Sequence, residues 1–266
     1  MRFTCLEKDF APAFCNVSLA VAKNSPVSAY NGILLRCRKD QLSMTGYDLD
    51  LSITKTIAVR SDQNGEAIIP PHVFYIISLS NATGSDREIK FTLDETFRLQ
   101  VDAGLVSCSD VIEDMKEYPM VPTVDKSTPV YIPRQLLEHM IASTIRVFVP
   151  SDLPPVIAGM VFDIERDSIH LTAVNCDQFV QVVDPAQING RLSFAVPRKA
   201  AQALYKILFC NSGDEYVEIN ADDMHVSFSV DGYVLISQIL NMENFRKRID
   251  TLSDMSDKSK KRKGLK

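Results

Sequence analysis

Two pairs of acids, Asp48 with Asp50 and the adjacent Asp222 and Asp223, are the side chains whose types and spacing first suggest chemistry. Asp48 and Asp50 stand two apart on a strand and face the same side, as carboxylates holding a divalent metal would. Metal-assisted hydrolysis needs more than this: carboxylates converging from several elements, usually with a His or Lys beside them. These acids stand instead at strand ends and turns, where Asp is favoured because its carboxylate bonds nearby backbone N–H groups. His72, His139, His170 and His225 are scattered, with no fixed relation to a nucleophile. No Gly-rich phosphate loop, H-E-x-x-H or G-x-S-x-G segment occurs. The six cysteines, Cys5, Cys15, Cys37, Cys108, Cys176 and Cys210, lie singly in apolar segments without C-x-x-C spacing. They read as buried free thiols of a reducing cytoplasm. The expectation is a chain that catalyses nothing and holds no metal or cofactor.

Charge carries more information once it is divided among elements. Arg248 to Lys266 holds seven bases against three acids, a net of +4, so the rest of a chain of net charge −5 stands at −9. Four helices read from apolar spacing hold Lys23, Arg134, Arg146, Arg198, Lys199 and Lys206 against a single acid, Glu138. A basic helical face on an acidic body attracts a polyanion to the helices while the remaining surface repels it. In the last helix Arg198, Lys199, Gln202 and Lys206 fall on one side and Ala201, Leu204, Ile207 and Leu208 on the other. In the helix before it, Arg134, Gln135, Glu138, His139, Ser143 and Arg146 oppose the apolar stripe. The six bases are therefore candidate residues for binding a polyanion.

The elements that must position these residues are written twice. Gly32 opens Gly32-Ile-Leu-Leu-Arg-Cys37 and Gly159 opens Gly159-Met-Val-Phe-Asp-Ile164, an offset of 127. The same offset carries Leu42 to Ile169, Thr45 to Thr172, Pro70 to Pro197, Glu88 to Glu215 and Tyr118 to Phe245. Solenoid repeats run at roughly 20–50 residues, whereas this period has the length of a domain. Each copy divides again into two strand–helix–strand–strand–strand units. The helices are expected at Phe10 to Lys23, Pro71 to Asn81, Arg134 to Phe148 and Arg198 to Cys210. The strands are expected at Met1 to Glu7, Gly32 to Val59, Ala67 to Pro70, Arg87 to Val111, Val130 to Pro133, Gly159 to Asp184, Leu192 to Pro197 and Glu215 to Leu240. At 266 residues and 45% hydrophobic, the chain is large enough for two cores. No apolar run approaches the roughly 18 residues of a membrane span, and Met1 to Phe10 lacks a signal peptide's apolar stretch. A cytoplasmic protein without membrane contact is expected.

Several segments resemble the DNA polymerase sliding clamps, specifically the beta subunit of bacterial DNA polymerase III. Leu42-Ser-Met-Thr-Gly-Tyr-Asp-Leu-Asp-Leu-Ser-Ile53 is similar to the family's L-x-L-T-A-T-D-L-E-x-x-I strand pair, and Glu117-Tyr-Pro-Met-Val-Pro122 to its F-P-x-x-P domain end. Pro154-Pro-Val-Ile-Ala-Gly-Met-Val-Phe162 resembles R-P-x-L-x-G-V-x-F, and Val196-Pro-Arg-Lys-Ala200 resembles V-P-R-K-A. The resemblance covers Met1 to about Lys247. It implies an α+β DNA clamp fold, with helices on the inner face of a ring and antiparallel sheets outside. It places clamp domains at 1–122 and 128–247, followed by a basic tail at 248–266 whose composition predicts disorder. It further implies a processivity factor that encircles double-stranded DNA, with a DNA polymerase and a clamp loader as partners.

Three departures qualify what is carried over. The family's bacterial members have three domains per chain and close as dimers, so two domains per chain imply a homotrimer. The family's T-D-G-H-R-L stretch reads Val174-Asn-Cys-Asp-Gln-Phe179, with Gln178 in place of the basic residue. The other wall of the partner-peptide groove belongs, in the family, to the third domain. Ile157, Val174, Phe179 and Met242 are the candidates for what is left of that groove, or else they pack the core. The alternative function is a clamp-derived adaptor or decoy that binds replication proteins without forming a ring.

Overall fold

The computed structural model describes residues 1–70, 73, 87–104, 106–112, 118–124, 128–148, 158–175, 177–211 and 213–263, without the side chains of 106 and 255–263. Two compact units emerge, one of Met1–Pro122 with Gly232–Leu235, the other of Thr123–Asp231 with Ile236–Lys266.

The first unit opens with β1 (Arg2–Leu6) and α1 (Glu7–Val17), followed by a 3-10 turn at Ser18–Ala20. Then come β2 (Ile33–Arg38), β3 (Gln41–Tyr47), β4 (Leu51–Ala58), β5 (Arg60–Gln63), β6 (Gly65–Ile69), β7 (Glu88–Leu93), β8 (Arg98–Ala103) and β9 (Val106–Val111). They form two antiparallel arrays, β5-β1-β7-β8-β9 and β4-β3-β2-β6. Phe3 stacks on Phe91 at 4.8 Å between centroids, and Phe10 of α1 meets Phe91 at 4.8 Å, so the helix closes its core on the β1–β7 pair.

α1 is not placed where apolar spacing alone puts it. It begins at Glu7, whose carboxylate takes a hydrogen bond from Arg87, and Glu7 and Asp9 suit the positive end of the helix dipole. It ends at Val17 because Ser18 Oγ bonds back to the Cys15 carbonyl at 2.7 Å and the chain tightens into a 3-10 turn. Of the helix expected over Pro71 to Asn81 only Val73 is described; the rest lies outside the described residues.

The second unit runs β10 (Val130–Pro133), α2 (Arg134–Thr144) and a 3-10 turn at Ile145–Val147. It continues with β11 (Gly159–Ile164), β12 (Ile169–Val174), β13 (Phe179–Asp184), β14 (Leu192–Pro197) and α3 (Arg198–Cys210). β15 (Tyr216–Ala221), β16 (His225–Val230), β17 (Tyr233–Gln238) and α4 (Met242–Lys263) complete it, the division between units falling within β17. One sheet has the order β13-β12-β11-β14, and β10-β15-β16 form the other antiparallel array. Phe162 stacks on Phe194 at 4.8 Å, with Phe228 against both.

The 127-residue offset holds down to cross-strand register. Leu34 faces Thr45 as Val161 faces Thr172, Cys37 faces Leu42 as Ile164 faces Ile169, and Leu34 faces Ile68 as Val161 faces Ala195. The opening glycines are repeated for one reason. A Cβ on Gly32 would lie 2.4 Å from Ile68 Cγ2 and 3.3 Å from the Ile69 carbonyl oxygen. A Cβ on Gly159 would lie 2.6 Å from the Val196 carbonyl oxygen. Strands pass too close at both places for any side chain.

The tail departs from the expectation of an unfolded arm, since α4 continues to Lys263. Between Met242 and Lys263 there is neither Gly nor Pro, Gly264 follows, and Glu243 pairs with Lys247 one turn on at 3.7 Å. Composition argues against a buried core, but it does not forbid an exposed helix.

Candidate nucleic-acid interface

Pro133 and Pro197 end their strands in extended conformation, and α2 and α3 start on the next residue. The two helices pack on each other in the second unit. α3 turns Ala200, Ala201, Ala203, Leu204, Ile207 and Leu208 inward. Lys199, Gln202 and Phe209 are left exposed, with Arg198, Tyr205 and Lys206 half-buried. α3 therefore carries three bases and no acid over 13 residues. On α2 the outer face presents Gln135, His139 and Ser143, and Arg146 is exposed on the turn beyond it. Such a face suits phosphate oxygens, which accept hydrogen bonds from cations and amides alike. Beside the first turn of α2 a cleft of about 330 Å³ is lined partly by Asp214 and Glu215, where the surface turns acidic.

Arg134 is a correction to the sequence expectation. It is 7% exposed, and its guanidinium donates to the Leu208 carbonyl at the end of α3. Its Nε lies 3.7 Å from Asp231 and its Nη1 3.9 Å from Glu138. A cation so enclosed ties the start of α2 to the end of α3 and is out of reach of a phosphate. Lys23 is a second correction of place. It is exposed, but it lies beyond α1 and its 3-10 turn rather than on a helix. With Glu7 and Asp9 on α1, the first unit's described helix is acidic at its start, and the basic face belongs to α3, with Arg146 on the turn that follows α2.

The groove candidates do meet, except Ile157, which lies outside the described residues. Val174 is fully buried with Val161, Ala195 and Phe245, and the partly buried Phe179, Leu240, Met242 and Ile249 pack against them. Phe245 was not singled out as a site residue. Its ring sits where a Cβ on Gly159 would come within 2.8 Å. The first unit closes the same place with Tyr118, packed on Ala29, Leu34 and Ile68 and donating its hydroxyl to the Thr45 carbonyl at 3.2 Å. Burial drives that hydroxyl's pKa well above the usual tyrosine range. The cluster is thus a repeated closure of each unit, and in the second unit it leaves Phe179 and Met242 partly exposed at its rim.

One acid of each pair considered for catalysis is occupied by a turn. Asp48 Oδ1 accepts the N–H of Asp50 at 3.2 Å and of Leu51 at 2.8 Å, and Asp222 Oδ1 accepts those of Met224 and His225. The cysteines are not uniformly buried. Cys5 and Cys37 are, and burial with Asp9 nearby pushes the Cys5 thiol up to about 12, whereas Cys210 is exposed at the end of α3. Cys176 lies outside the described residues. No helix among the described residues is long and apolar enough to cross a membrane.

Residues 1–122 match the family model of the DNA polymerase III beta subunit, N-terminal domain. The beta sliding clamp of Staphylococcus aureus is 22% identical over 249 residues, which is 90% of this chain and 65% of that protein. Among solved structures, the DNA polymerase sliding clamp of Bacillus subtilis superposes with a TM-score of 0.77 at 21% identity, over 91% of this chain and 65% of that one. The DNA polymerase III beta subunit of Thermotoga maritima gives 0.79 at 14% identity, over 90% of this chain and 64% of that one. The fold is the α+β fold of the DNA clamps. The chain spans about two thirds of the length of these proteins, just under it in each case.

Proposed function

Because the chain belongs to the DNA polymerase III beta subunit family, we propose that it is a sliding clamp, a replication factor that encircles duplex DNA and tethers a polymerase without catalysis of its own. One observation carries this reading: α3 presents Arg198, Lys199 and Lys206, with no acid, on a chain whose net charge is −5. Such a face holds a phosphate backbone in any sequence and lets it slide, because contacts to phosphate carry no base information.

Closure is proposed through sheet edges. β9 ends one array of the first unit and β13 ends a sheet of the second, and Val111, Val180 and Val183 are exposed on them. Edge strands offer unpaired backbone groups to another chain. Head-to-tail pairing of β9 with β13 of the next copy makes three copies close into six domains. A clamp loader would open that ring, and Phe179 and Met242 would hold an apolar segment of a polymerase. The adaptor or decoy reading draws on a specific observation too: α1 lacks a basic face, so only part of a lumen would attract DNA.

The DNA face is tested by replacing Arg198, Lys199 and Lys206 together with Ala and measuring duplex affinity across a salt series. Each lost phosphate contact should reduce the slope of log affinity against log salt by roughly one unit. An unchanged slope and affinity would place the DNA elsewhere.

A further inference from the structure

The outward face of α3 is not only basic. Tyr205 and Phe209, one turn apart, stand on the same side as Lys199, Gln202 and Lys206, with ring centroids 5.9 Å apart and planes at 34°. Phe209 is 66% exposed, although the same helix buries Ala201, Leu204, Ile207 and Leu208 completely or nearly so on its other side. Lys206 precedes Phe209 by three residues, about 4.5 Å along the axis, and Lys199 by ten, about 15 Å. The face therefore interleaves cations with a pair of rings, Tyr205 beside Lys206 and Phe209 at its end.

Phosphates explain the cations, but an intact duplex gives the rings nothing to stack on, because its bases are already stacked inside. Unpaired bases do. Sequence-tolerant binding of single strands combines a positive track for the backbone with aromatic side chains on which bases stack. We propose that Tyr205 and Phe209 form a stacking platform for unpaired bases, so that the α3 face binds single-stranded DNA, with Lys199 and Lys206 on its phosphates. The proposal rests on the reading that the α3 face meets DNA. It adds that this face distinguishes a single strand from a duplex. The cations beside the rings make a polyanion, rather than the apolar patch of another protein, the fitting occupant.

The full chain is tested against two probes, an oligo-dT containing 2-aminopurine, whose emission falls on stacking, and a blunt duplex of equal length. Phe209→Leu keeps an apolar side chain and removes the ring, and Phe209→Tyr restores one. The wild type and Phe209→Tyr should bind the oligo-dT with quenching. Phe209→Leu should lose the quenching and about tenfold or more in oligo-dT affinity, with duplex affinity and melting temperature unchanged. Unaltered quenching and affinity in Phe209→Leu, while the triple Ala variant at Arg198, Lys199 and Lys206 loses both probes, would overturn the platform and leave the duplex reading standing. Failure of the wild type to bind either probe at low salt would overturn both. A change in the mass of Phe209→Leu in solution, with oligo-dT affinity unchanged, would make the rings a protein contact and overturn the proposal.

Discussion

Arg134 and Lys199 carry the same charge in the same helical pair and do different work. The Arg134 guanidinium is enclosed by the Leu208 carbonyl, Asp231 and Glu138, and the Asp231 side chain is only 7% exposed. Removing the cation leaves that buried carboxylate with the Asp214 N–H but without the opposite charge of Arg134, and breaking a buried pair costs about 3–5 kcal/mol. Arg134→Met should therefore lower urea stability by about that amount, whereas Lys199→Ala, on the exposed face, should stay within roughly 0.5 kcal/mol. Equal stabilities of the two variants would contradict this division. Helical periodicity could not separate them. It places Arg134 with Gln135 and Glu138, and it cannot show that the last turn of α3 and the turn at Asp231 cover the first turn of α2. The bases of α3 were legible because the apolar period of the helix turns the opposite side inward, leaving Lys199 exposed and Arg198 and Lys206 half-buried.

The strands and the repeat were read with little loss, because a half-buried strand alternates and a close-packed glycine cannot drift. What escaped had no apolar period to show. β5, Arg60–Gln63, is a polar edge strand that pairs with β1 through Ser61 and Arg60. α4 is a charged helix that, over its described side chains 242–254, sends few apolar groups inward. Among these Phe245 is the anchor, 4% exposed against Val161, Val174 and Ala195. Arg246 supports the same turn, 3.6 Å from Asp163. Phe245→Ala should cost about 3–5 kcal/mol in urea unfolding, the range for emptying a buried aromatic site. A loss below about 1 kcal/mol would mean that the second unit holds together without this closure, as for an ordinary surface substitution. The groove residues were legible as an apolar group. Groove and core packing stayed open as alternatives, because alternation cannot show that Phe245, the partner of Tyr118 in the repeat, closes on Val161, Val174 and Ala195.

At the scale of the whole molecule, a domain-sized unit is repeated with its register intact, with β9 and β13 at sheet edges and α3 as a basic helix. The two readings of the function share this fold and part only at assembly. A sliding clamp needs β9 and β13 to find each other on neighbouring copies, while an adaptor leaves them unpaired. Light scattering on the size-exclusion peak of the full chain, with electron micrographs of the same fraction, tests the central claim most directly. The account predicts a mass three times that of the 29.7 kDa chain and closed rings. A mass of a single 29.7 kDa chain at the highest soluble concentration, with no rings, would contradict it and leave the adaptor reading.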